Sequence, residues 1–248
     1  MDCIGANGST GGGDYAYWRY HIEGQDLQDL CKGTSSAKPF TLSFYFKSDI
    51  TGVFAIHIAD QNSRMCNANY IVSNTNWNRY IITIPADTTG AIANSNAAGL
   101  EVRFYIIAGS NHTSGSAVHT WGAYSASSIA TGHTANIVST SHNLYLTGVQ
   151  LEVGSLATPF EHRSYAQELD LCLRYFQRFA YGANYQIGMG ALYTSSQLKC
   201  IVPFIKEMRA APSVVQVTGG NNYVFYRDGN ADYFNSFGVE NTDERKTV

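Results

Sequence analysis

Apolar and polar residues alternate over short stretches through most of the first 160 positions. The cleanest case is Phe40, Leu42, Phe44 and Phe46 interleaved with Thr41, Ser43, Tyr45 and Lys47, a period of two that predicts a strand with one buried face. Residues 15–23 read as another strand, with Ala16, Trp18, Tyr20 and Ile22 on one side. Further strands are predicted over 53–58, 70–73, 80–84, 102–107 and 143–151. Turn-formers separate them: Ser48-Asp49, Asp60 to Asn62, Asn74 to Asn76, Pro85 to Gly90 and Gly109 to Gly115. Short strands at near-regular spacing, with no helical period before residue 160, predict a mainly β fold, an antiparallel sandwich of the jelly-roll kind. Eight such strands need roughly 100 to 150 residues, which the stretch 14–160 supplies.

The pattern changes after Pro159. Ser164 can cap a helix, Gln167 occupies the capping-box position, and Leu169, Cys172 or Leu173, and Phe176 recur at helical spacing up to about Phe179. Arg174 and Arg178 in the last turns suit the helix dipole. Strand-like segments return at 185–193, 197–204, 213–217 and 222–226. The chain therefore divides into a sandwich over 1–160, one linking helix over 161–180 and a small C-terminal β module over 181–248. Leu169, Leu173, Phe176 and Phe179 give that helix a wider apolar side than one end of a thin sandwich needs. They are the candidate assembly residues, and a homotrimer is the expected product, because closed rotational symmetry leaves no unpaired patch.

Composition narrows the function. Charged residues are 14% of the chain and the net charge is −3, against about a quarter charged in an average globular protein. Gly, Ser, Thr, Asn and Tyr carry the polarity instead, as in extracellular or virion β-proteins. No basic block exists to attract phosphate, so nucleic acid is not an expected partner. No apolar run approaches the roughly 18 residues of a membrane span, and a membrane is not expected either. The start lacks the basic and apolar regions of a signal peptide, so a protein that works outside a cell would be expected to leave by another route, such as lysis.

Candidate chemistry is sparse. Five cysteines, Cys3, Cys31, Cys66, Cys172 and Cys200, are odd in number, widely spread and read as reduced structural thiols. Seven histidines lack the spacing of a ligand set, so no metal site and no cofactor are expected. Glu23, Glu101 and Glu152 cannot be paired across a cleft from sequence, and no GxSxG, HExxH or Walker motif occurs, so no catalytic residue is assigned and no enzyme is expected. Glu152 and Glu161, with Arg163, read as a strand-to-helix corner fixed by ion pairs and hydrogen bonds. Trp77 reads as packed under a sheet edge. Trp121 and Trp18 read as more open, and Trp121 with Tyr124, His112 and His119 forms the candidate ligand-binding set: an aromatic platform beside small polar residues can stack on a sugar ring.

The ordered strings LSFYFKSDITGVF, NTNWNRYIITIPADTTG, LTGVQLEVGSLATPFEHRSYAQELDLCLRYFQRF and VPFIKEMRAAPSV resemble the jelly-roll, carbohydrate-binding-module-like region of phage tail-fibre and related virion structural proteins. The resemblance covers about residues 15–215 and is most specific over Thr147 to Phe179. It implies a virion protein, a tail-fibre component acting in assembly and host attachment, with other virion proteins and a host cell-surface glycan as partners. A head or capsid decoration fibre and a carbohydrate-binding appendage of a polysaccharide-degrading enzyme are the alternatives it leaves. It also implies strands before Ile22 to Leu30 that this sequence lacks, so that either the sequence is a fragment of a longer fibre or a neighbouring chain fills the gap, and a C-terminal module cut short. The structural calcium of related modules is not expected, because Thr147-Gly148-Val149 stands where acidic ligands would be.

Overall fold

The computed structural model describes residues 8–116, 119–182, 185–194 and 196–238. The chain divides into two compact units, Met1–Glu161 and His162–Val248. The first is an antiparallel β-sandwich. One sheet holds, side by side, β1 (Tyr15–Glu23), β6 (Ala98–Ala108), β3 (Gly52–Asp60), β4 (Arg64–Val72) and β7 (Gly122–Ala123); the other holds β5 (Asn78–Ile84), β2 (Phe40–Ser48) and β8 (Leu144–Val153). The chain changes sheets at every connection except β3–β4 and β6–β7. Neighbouring strands are therefore mostly distant in sequence, and the core is what holds them in register.

That core is aromatic. Phe44 of β2 lies edge-on to Tyr70 at 5.0 Å and to Phe104 at 5.1 Å, both in the facing sheet, and stacks on Tyr80 at 5.6 Å. Phe46 and Phe54 enclose Tyr70 from the other side. Leu27 and Leu30, on a 3-10 helix over Gly24–Leu30, close the cluster at one end. Strands of both sheets contribute to this one cluster.

Both outer faces are partly covered by returning chain. On β2 even the polar Thr41 and Ser43 are buried, because residues 154–161 turn back over them: Thr41 donates to the Gly154 carbonyl at 2.8 Å, and Arg79 bridges the Ser43 hydroxyl and the Thr158 carbonyl. Glu152 fixes this corner by accepting from the Thr158 amide at 3.1 Å and hydroxyl at 2.5 Å, and Gln150 accepts from the Glu161 amide at 2.8 Å. The expected pairing with Arg163 is not what closes it; Arg163 pairs with Glu168. Gly148 sits at the bulge of β8 with φ of 58°. A Cβ there would meet the Tyr45 ring at 3.0 Å, so the position favours glycine on two counts. On the five-stranded sheet, residues 109–137 pack Ile129 and Ala130 against Ala55, Met65 and Tyr105, beginning with the single turn α1 (Ser110–Thr113).

In the second unit, α2 (Tyr165–Leu173) carries the expected capping box: the Ser164 hydroxyl accepts from the Gln167 amide, and Gln167 Oε1 accepts from the Ser164 amide. The helix ends at Leu173, not near Phe179. Gln177 then holds the following segment, donating to the Leu173 and Lys206 carbonyls and accepting from the Ile205 amide. Hairpins β9 (Met189–Thr194)–β10 (Gln197–Ile201) and β11 (Tyr223–Arg227)–β12 (Asn230–Phe234) follow. The second turns at Asp228-Gly229 with both φ positive, the geometry such dipeptides favour. Residues 213–217, expected as a strand, form none; the chain follows Pro212, and Gln216 bonds instead to the backbone of Phe237.

Two histidines are built into the sandwich uncharged. Burial, opposed by the Asn67 hydrogen bond, lowers the His57 pKa from 6.5 to about 4; burial likewise takes His133 to about 4. The unfolded chain therefore binds these protons first as pH falls, and stability present above about pH 6.5 declines towards pH 4 by up to roughly 3 kcal/mol per histidine. Urea titrations between pH 7 and 4 should show this fall, reduced by about half in His133→Gln.

Candidate functional site

Of the residues expected to bind ligand, Trp121 and His112 are half-buried in contacts with the fold, while His119 and Tyr124 are exposed. Trp121 lies partly buried against the core, donates its indole N–H to the Pro85 carbonyl at 2.9 Å and packs near Phe40. Its ring also lies 4.5 Å from the Lys32 ammonium. That ammonium anchors a network: Lys32 pairs with Asp60 and, at 2.9 Å, with Asp87, and donates to the Gly90 carbonyl. Arg64 joins Asp87 through two bonds of 2.8 and 2.9 Å. The side chains of Lys32, Asp60 and Asp87 are 3%, 0% and 4% exposed, so the charges are desolvated and depend on one another. Burial alone would raise the Asp87 pKa, but the Arg64 and Lys32 hydrogen bonds outweigh it and hold the carboxyl far below its usual range.

His112 ties two chain segments together, its ring nitrogens facing the Ala126 and Gly13 carbonyls at 3.3 Å. His119 faces the Asn67 carbonyl at 3.2 Å. Tyr124 is exposed and packs edge-on to His57. The loop that carries them is the cover of the five-stranded sheet, and Ala117 and Val118 within it lie outside the described residues. The carboxylates considered for catalysis have other partners: Glu101 binds Arg103 and His21, Glu152 binds Thr158, and Gln25 donates to Glu23. Cys31, Cys66, Cys172 and Cys200 are free thiols, and burial pushes Cys66 up to about 12; Cys3 lies outside the described residues. Among the described residues no cluster of His, Cys, Asp and Glu could hold a metal, and no helix is long and apolar enough to cross a membrane.

Two surfaces remain. The first is an open groove of about 500 Å³ lined by Trp18, Trp77, Leu144, Tyr145 and Leu146. Trp77 is 48% exposed, contrary to its expected place under the sheet edge, and its ring is 6.1 Å from that of Tyr145, tilted by 58°. The reason is positional: Trp77 precedes β5, and the register puts Asn78 opposite Phe46, at the end of the sheet. The second is the surface of the second unit, where Val202 and Met208 are the only buried apolar residues among those described. Of the expected assembly residues, Leu169 lies on α2 and is exposed, and Phe176, beyond its end, is 67% exposed. Leu173 is half-buried, and Phe179 packs on Phe204 at 5.9 Å. With the helix ending at Leu173, these four do not form one helical face.

The geometry defines an antiparallel β-sandwich followed by a small unit of hairpins. Comparison with protein-family models, with curated proteins and with solved structures finds no match to this chain.

The buried network makes a direct prediction. Asp87→Ala strips Arg64 of its carboxylate partner and leaves Lys32 with Asp60 alone, and should cost about 3 kcal/mol; Trp121→Ala should cost about 3 kcal/mol or more. His119→Ala and Tyr124→Ala should each stay within about 1 kcal/mol by the same chemical denaturation.

Proposed function

We propose that the chain is a phage virion structural protein, a tail-fibre component that assembles as a homotrimer and contributes to host-surface attachment. The observation that carries this reading is the second unit's surface. Met189, Tyr193, Ile201, Ile205, Val215 and Tyr226 are each at least 66% exposed, and a lone soluble domain rarely presents so much apolar surface without a partner. In a ring of three copies each unit covers part of its neighbour's surface head to tail, and the rotation closes with no patch left over. The low charge and the tail-fibre-like strings over 15–215 support the same reading. Localisation on the virion and release by lysis belong to it.

The aromatic groove favours one other reading, a carbohydrate-binding appendage of a polysaccharide-degrading enzyme, which would work as a monomer. Sedimentation equilibrium separates the two. The fibre reading expects three times the 27.1 kDa chain mass at micromolar concentration, and a monomer with an unchanged sandwich when Leu169 and Phe176 are both replaced by Asp. A wild-type chain that stays monomeric overturns it.

A further inference from the structure

We propose that the groove between Trp18, Trp77 and Tyr145 is a saccharide-binding site for neutral hexopyranose chains. The inference deepens the attachment part of the reading above and rests on it for biological role only.

Three features of the groove select this ligand. Its walls are aromatic and aliphatic, and Trp77 and Tyr145 present two rings tilted by 58°, a bent platform rather than a flat one. Pyranose rings carry C–H groups on one face and hydroxyls around the edge, so successive units of a chain can each lie on one ring. Next, the indole N–H groups of Trp18 and Trp77 have no acceptor within the described residues, whereas that of Trp121 is bonded. They are donors left over for a ligand with acceptor oxygens. Finally, none of the lining residues is charged. The Lys47 ammonium lies 5.3 Å from the centroid of the Tyr145 ring and braces that platform. A polyanion would find no charge in the lining; a neutral chain finds stacking surface and the two indole donors. The volume of about 500 Å³ falls within the range of ligand clefts, ~300 to 1,000 Å³, and its open side lets a chain run through.

The test uses the full chain against immobilised neutral glucans, galactans and mannans, with maltohexaose and cellohexaose as soluble probes, read by affinity electrophoresis and tryptophan fluorescence. Wild type should be retarded by at least one of these polysaccharides. Trp77→Ala and Tyr145→Ala should each weaken retention about tenfold or more, Trp77→Phe by less, and Tyr124→Ala, outside the groove, less than twofold. Thermal unfolding of each variant checks that the sandwich is intact. The proposal is overturned if wild type is retarded by none of the polysaccharides, if folded Trp77→Ala and Tyr145→Ala bind like wild type, or if Tyr124→Ala loses binding equally. A monomeric wild type that binds through the groove removes the fibre reading and keeps the site; a trimer that binds none of the probes removes the site alone.

Discussion

A sheet of five strands cannot be covered by a sheet of three, and much of the first unit follows from that mismatch. The three-stranded sheet shields the middle of its partner, where Phe44, Tyr70 and Phe104 meet. At the β1 edge the cover runs out: Trp18 and Ile22 pack against the core, yet Tyr20, on the same face, is 65% exposed. The groove opens where Trp18 of β1 reaches past the first residues of β8. The wide sheet's outer face has the opposite problem, surface with no sheet over it, and residues 109–137 are used to cover it. His112 and His119 of that segment face backbone carbonyls, and Trp121 packs against the core between the sheets.

The parts of this arrangement legible in the sequence are those set by neighbours along the chain. The alternation at Phe40 to Lys47, the strands at 53–58 and 80–84, and the Ser164–Gln167 capping box depend on spacing of a few residues, and each is found. The Tyr70 to Ser73 prediction caught only the end of β4, because Arg64 to Asn69 is too polar to read as a strand; its outer-facing Asn67 is buried by Ser128, a residue far along the chain. The network of Lys32, Asp60, Arg64 and Asp87 was not legible, since its members are scattered and become partners only when the strands close. The tryptophans show the same limit most clearly. Alternation beside Trp77 pointed inward and the small polar loop before Trp121 pointed outward, but whether a ring is covered depends on a segment elsewhere, and both placements are reversed.

The second unit reads as a structure short of interior. Its helix stops two turns early by the apolar spacing, its hairpins are two-stranded, and isolated two-stranded hairpins are at best marginally stable in water. On the homotrimer proposed above, its order comes from surface buried against other copies, while the sandwich holds the larger core. The most direct measurement is amide hydrogen exchange of the full chain across a dilution series. The account predicts that β3 and β6 amides stay protected at every concentration, while β9 to β12 gain protection only where the trimer forms. Protection of β9 to β12 equal to that of β3 and β6 in a dilute monomer would contradict it.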